Sequence, residues 1–156
     1  MSHVKIRRLL LVTLLPVIVA GSAETHSPST TTDTQQARAM KIGMHVEGTS
    51  WTATLDDNAA SRDFLALLPL MLTLEDYNST EKISDLPKKL STHGAPEGVQ
   101  PVAGDIAYYA PWGNLAIFYS GFRYSPGLVR LGRLDAGVDA LRRMGTLRVT
   151  IRRIEE

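Results

Sequence analysis

From Met40 onward the chain alternates between apolar and polar residues in short runs, each broken after a few residues by Gly, Pro, Asn or Asp. A period of two puts successive side chains on opposite faces of a strand, and breaks this frequent allow only short strands joined by tight turns. In "KIGMHVEGTSWTATL" Ile42, Met44 and Val46 share one face, Glu47-Gly48 supplies a turn, and Trp51, Ala53 and Leu55 continue the pattern. His45 falls opposite the apolar set, at a solvent-facing position. The most pronounced case is "GDIAYYAPWGNLAIFY", residues 104–119, which holds five of the chain's ten aromatics. Ile106, Tyr108 and Ala110 alternate with Ala107 and Tyr109, and Leu115, Ile117 and Tyr119 alternate with Ala116 and Phe118. Between them, Pro111-Trp112-Gly113-Asn114 has the chemistry of a turn, with Pro pre-setting φ and Gly or Asn accepting positive φ. The segment is predicted to be a hairpin.

"LVRLGRL" and "TLRVTIRRI" extend the strand pattern to the C-terminus, the latter with Leu147, Val149 and Ile151 on one face. Two segments switch period. "DDNAASRDFLALLP" places Phe64, Leu67 and Leu68 at i, i+3 and i+4 behind capping candidates Asp56, Asp57 and Asn58, and Pro69 ends it. "DAGVDALRRMG" reads as a second short helix, capped by Asp135, burying Val138, Ala140 and Leu141, and ended by Gly145. Residues 78–104 contain three Pro and three Gly with weak apolar signals. They read as a long connection with a short strand or turn near Ile83 to Leu90. The helices do not alternate with strands as in βαβ units. The pattern therefore predicts a mainly β domain: a small closed barrel of seven or eight short antiparallel strands capped by two short helices.

Composition narrows the chemistry. The chain has 156 residues, a net charge of +1 and no cysteine. That excludes disulfides, thiolate catalysis and Cys-ligated metals, and gives no reason to expect a nucleic-acid partner. Charge is uneven, however. Residues 40–122 hold 5 basic and 10 acidic residues, whereas residues 123–156 hold 8 and 4. Complementary pairing within one fold is the expected use of this unevenness, and a basic patch for an anionic partner is the alternative.

The first 39 residues differ in kind. Lys5, Arg7 and Arg8 precede the apolar run "LLLVTLLPVIVA", and the small residues of "AGSAE" follow. This three-part pattern predicts a signal peptide over residues 1–23, cleaved after Ser22 or Ala23, and hence a periplasmic or secreted protein with no stable membrane span after cleavage. Residues 24–39, rich in Ser and Thr, are expected to form a disordered polar tether ahead of a domain at 40–156. A start at Met40 is the alternative and would leave the protein cytoplasmic.

The segment "LVRLGRLDAGVDALRRMG" resembles the part of cyclophilins in which an apolar strand ends in a Gly-basic-apolar triplet, followed by a turn, a Gly and a short helix. The matching positions are Val129, Leu131, Gly132, Arg133, Leu134, Gly137, Val138, Leu141 and Met144. With "MKI", "LPL", the aromatic hairpin and "GLVRLGR", residues 40–154 resemble a compact, mostly bacterial group of cyclophilin-like proteins. The resemblance implies an eight-stranded closed β-barrel with a helix at each end. Cyclophilins proper are peptidyl-prolyl isomerases that use an Arg from a Phe-His-Arg motif with Gln and aromatic neighbours. This chain has neither Phe-His-Arg nor Gln-Phe-Phe, and Gln100 is the domain's only Gln, so those catalytic residues do not carry over.

Site candidates follow from the hairpin. Tyr109, Trp112, Phe118 and Tyr119 are the aromatics that can line a pocket, and Arg123 follows closely. Tyr109 and Trp112 are the residues most expected to face outward, because turns are surface features. Glu75 or Asp76 with His93 is a weaker acid/base candidate. No phosphate loop, nucleophile elbow or metal-ligand spacing is present, so no metal or cofactor is expected. The expectation is an exported module that binds a proline-containing peptide or a small ligand. A divergent peptidyl-prolyl isomerase is the alternative.

Overall fold

The computed structural model describes residues 39–155; the expected signal peptide and tether lie outside them. In chain order the elements are β1 (Met40–Val46), β2 (Thr49–Leu55), α1 (Ala59–Ala66), β3 (Leu70–Tyr77), β4 (Glu81–Asp85), β5 (Gly98–Val99), β6 (Asp105–Tyr109), β7 (Asn114–Phe118), β8 (Ser125–Pro126), β9 (Leu128–Leu134), a 3₁₀ turn (Val138–Arg142) and β10 (Leu147–Arg153). Eight strands close an antiparallel barrel in the order β1-β10-β3-β4-β7-β6-β9-β2, and β5 pairs with β8 as a separate ribbon. Closure removes free sheet edges, which lets strands this short form a stable sheet.

The alternation seen in the sequence is the inside-outside alternation of this barrel. Ile42, Met44, Val46, Ala53, Leu55, Tyr108, Leu115, Ile117, Val149 and Ile151 all join one interior cluster, each almost fully buried. The first hairpin turns at Glu47 and Gly48, with φ of 44° and 87°. Positive φ at both central residues is what a two-residue turn between right-twisted strands needs. His45 is exposed beside Ser50, its Nδ1 3.1 Å from the hydroxyl.

Helix α1 begins as its sequence dictates. The Asn58 side chain caps it by accepting from the Ser61 N–H at 2.9 Å, satisfying one of the donors a helix start leaves open. Phe64 and Ala60 enter the core, while Ser61 donates to the Leu131 carbonyl at 2.8 Å and so ties the helix to β9.

The second predicted helix is present as one short turn. Only Val138–Arg142 is helical, as a five-residue 3₁₀ turn. Of its apolar residues only Leu141 is fully buried, and Ala140 is exposed. One anchoring residue needs no longer helix. Nor does Asp135 cap it. Its carboxylate accepts from the hydroxyls of Thr52 and Thr54 on β2, at 2.7 and 2.9 Å, and from Lys41 at 3.0 Å. Gly137 opens the turn at φ 89°, and a Cβ there would lie 2.5 Å from the Trp51 ring.

Residues 78–104 contain the short strand expected near Ile83, which begins earlier, at Glu81. β4 follows β3 directly, with Tyr77 paired to Glu81. The hairpin is hidden in the sequence because its inward-pointing residue is Lys82, fully buried, where a strand pattern leads one to look for an aliphatic. The uneven charge is used in part for internal pairing: Arg130 bonds Asp56 at 2.7 Å, and Arg143 bonds Glu47 at 2.5 Å.

Gly132 shows how tightly the barrel is drawn. A Cβ at this position would sit 2.3 Å from the Thr54 carbonyl oxygen of the neighbouring β2. Gly132→Ala is expected to destabilise the domain by about 1–3 kcal/mol through forced strand separation, read as a lowered urea midpoint. Gly43→Ala, where the nearest atom lies at 3.7 Å, should be close to neutral.

Candidate functional site

Side chains that alternate out of the barrel on β4, β7, β6 and β9 form a second apolar cluster on its outer surface. Ala107, Ala116, Phe118 and Leu128 are buried there, with Ile83, Val99, Tyr109 and Phe122 packed around them. An outer sheet face buries apolar residues only where something covers it. The cover is supplied by the β5–β8 ribbon and the chain leading into it, held by bonds from Phe122 N–H to the Pro101 carbonyl and from Gly127 N–H to the Glu97 carbonyl.

The cover is incomplete, leaving a cavity of about 330 Å³. Asn114, Ala116 and Phe118 of β7, with Leu128 of β9, supply its floor. One wall is aromatic: Trp112 lies edge-on to Tyr77 and to Tyr109, with ring centroids 5.6 and 5.4 Å away. Residues 122–126 form the opposite wall, with Arg123 stacked over the Phe122 ring at 5.2 Å. Ala116 gives the cavity depth, since any larger side chain at mid-floor would fill it.

Four of the five residues singled out in the sequence line this cavity: Tyr109, Trp112, Phe118 and Arg123. Trp112 is 57% exposed, whereas Phe118 is only 2% exposed and serves as floor. Tyr119 is directed elsewhere. It points into the barrel and donates a 2.6 Å hydrogen bond to Asp76, and burial with that bond pushes its hydroxyl pKa up to about 12. Asp76 is held below the usual carboxylate range by Lys82 and Tyr119, so it is unavailable to His93. His93 sits exposed in the loop, and among the described residues no hydrogen bond joins it to Glu75 or Asp76.

Two polar residues that the sequence did not flag lie in the cavity. Asn114 is 3% exposed. Its Nδ2 is directed at the Leu115 carbonyl, and its Oδ1 has no partner. Such an atom costs about 1–3 kcal/mol when left unpaired. Glu81 faces the cavity from β4, and burial raises its pKa from 4.5 to about 7. Both were legible only in hindsight: Glu81 through its parity with inward Lys82, Asn114 as the strand residue that closes the turn.

A cyclophilin-like family model matches residues 44–152. The chain belongs to the cyclophilin-like family. A hypothetical protein from Archaeoglobus fulgidus, known from its solution structure, is similar in fold at a TM-score of 0.55 and 16% identity, over 74% of this chain and 95% of that one. No curated protein matches. This cyclophilin-like domain carries the aromatic cavity on the outside of the barrel, while its interior holds the main buried cluster. Among the described residues no helix is long and apolar enough to cross a membrane.

Glu81 predicts a pH effect on stability. Its carboxyl holds a proton in the folded domain up to about pH 7, but in the unfolded chain only to about 4.5. Across that window the folded state binds more protons, so stability falls as pH rises. The urea midpoint should drop between about pH 5 and about pH 8, and Glu81→Gln should flatten that drop. Asp76 and Asp135, both shifted down, act at lower pH with the opposite sign: their stabilisation is lost as the solution becomes strongly acidic.

Proposed function

We propose that this cyclophilin-like domain is a binding module that holds a peptide or small ligand in the outer groove between Trp112 and the 122–126 segment. The observation that carries this reading is the convergence of Tyr77, Tyr109, Trp112 and Phe118 on one cavity whose floor is hollowed at Ala116. Concave, mostly apolar sites with a few placed polar groups are where proteins bind small molecules. The aromatic wall suits an apolar or prolyl ring, and Trp112 has surface left to bury. Titration with proline-containing peptides should perturb Trp112 fluorescence, and Trp112→Ala should weaken binding about tenfold, or about 1.4 kcal/mol.

A second reading, divergent peptidyl-prolyl isomerase, is favoured by Arg123 lying on the same cavity. Prolyl isomerisation has a barrier of about 18–20 kcal/mol, and a donor near the prolyl nitrogen lowers it by offsetting lost conjugation. Tenfold or greater acceleration that Arg123→Ala abolishes supports the enzyme. Absence of acceleration at high protein concentration removes it and leaves the binding module standing.

Export belongs to the same proposal and rests on the N-terminal pattern of basic, apolar and small residues. Sequencing the mature protein should give a terminus just after Ser22 or Ala23, whereas a Met40 terminus sinks it.

A further inference from the structure

The polar atoms of the groove restrict its ligand further, an inference that rests on the binding-module reading above. Two side chains that line the cavity have groups without partners. Asn114 Oδ1 is buried without a donor, while the amide's Nδ2 is directed at the Leu115 carbonyl. Among the described residues Glu81 makes no ion pair or side-chain hydrogen bond, although it is half-buried against the same space. Both are acceptors. In the register of β4 and β7, Glu81 pairs with Phe118 while Asp85 pairs with Asn114, which puts the two acceptors at opposite ends of the floor, roughly 13 Å apart at about 3.3 Å per residue. Between them lie Ala116 and the faces and edges of Tyr77, Tyr109 and Trp112. Aromatic faces attract cations within about 6 Å, more strongly where water is excluded.

We propose that the groove selects ligands bearing an ammonium group on an apolar or aromatic body, with the Glu81 carboxylate as counter-ion and the Tyr77-Tyr109-Trp112 wall against the body. An anionic ligand of the same shape meets the Glu81 carboxylate as a like charge, and a neutral one leaves that partly desolvated charge without a counter-ion. Arg123 opposes a cation in the same cavity, but it is exposed and stacked on Phe122, so solvent screens its charge while that of Glu81 is screened less. A bound cation also favours ionised Glu81, drawing its proton affinity back toward the ordinary range.

The test uses three ligands that share a ring and chain length: phenethylammonium, phenethyl alcohol and 3-phenylpropionate. Each is titrated into the protein with Trp112 fluorescence as the signal; Trp51, at 8% exposure, sits in the core and serves as the background seen in Trp112→Phe. Phenethylammonium should bind at least about tenfold more tightly than either analogue. Glu81→Gln, which keeps the side-chain shape, should erase that preference, and Arg123→Ala should strengthen ammonium binding. Pairing a dipeptide having a free amino terminus with its acetylated form identifies the source of the ammonium: preference for the free form assigns it to a peptide terminus, equal weak binding of both to a free amine. Equal or tighter binding of the alcohol or the carboxylate overturns the inference while leaving the groove as a binding site. So does an ammonium preference that survives Glu81→Gln, or a loss of binding in Arg123→Ala. Failure of every ligand to bind folded protein overturns it as well, and the proline-peptide titration then decides separately whether the groove binds anything.

Discussion

The Lys82 ammonium is the interaction on which the rest of the arrangement depends. Its side chain is completely buried inside the end of the barrel, where its Nζ donates to Asp76 at 2.8 Å and to the carbonyls of Arg143 and Gly145 at 2.7 and 2.8 Å. Removing an ammonium from water costs several kcal/mol, offset only when every donor finds an acceptor. Here all three do, and two of the acceptors are backbone carbonyls of the segment between the 3₁₀ turn and β10. The charge therefore clasps that segment over the barrel opening. It also sets the parity of β4. A slip of one residue would put the ammonium outside and draw Glu81 or Ile83 into a site with three unmatched acceptors. With Lys82 inward, Glu81 and Ile83 must face the groove. The site's acidic residue is placed by the core's basic one.

A second constraint acts through small residues on the opposite face of the same strands. Ala107 and Ala116 are fully buried beneath the covering ribbon, and Gly98 lets β5 approach β8 so closely that a Cβ would fall 2.3 Å from the Ser125 carbonyl oxygen. Larger residues on this floor would be satisfied by filling the space themselves, giving a more stable and featureless surface. Instead the sheet keeps a depression beside aromatic rings that remain partly exposed and a carboxamide oxygen with no partner. Polar groups left unpaired in this way are where a fold departs from its own stability rules, and such departures concentrate at functional sites.

How much of this was legible in the sequence depended on whether the inward residue of each strand was apolar. The β1–β2 and β6–β7 hairpins were readable to the turn because Ile42, Met44, Tyr108 and Ile117 mark the interior, and Glu47-Gly48 and Pro111 to Asn114 mark the reversals. Helix α1 was readable because Asn58, Phe64 and Pro69 supply cap, anchor and stop. β4 was obscured because its inside residue is Lys82, and with it Glu81 escaped notice. The aromatic hairpin could be divided into inward and outward sets, and the period places Tyr119 with inward Leu115 and Ile117; what it could not reveal is the partner, Asp76, 43 positions away, that removes Tyr119 from the pocket. Long-range hydrogen bonds leave no local period to read. The 3₁₀ turn looked like a helix for a related reason: a single buried Leu141 and a glycine pressed against Trp51 satisfy it, and neither contact is local.

The polarity of the groove separates it from that of a working prolyl isomerase built on the same barrel. Stabilising a twisted prolyl bond calls for a fixed donor deep in an apolar pocket, aimed at the prolyl nitrogen. Here the depth is occupied by acceptors, Asn114 Oδ1 and the Glu81 carboxyl, and the donor, Arg123, is exposed on the rim with its guanidinium over Phe122. An exposed guanidinium retains its water and its rotameric freedom, so it pre-organises poorly, whereas buried acceptors are pre-organised by the strands that carry them.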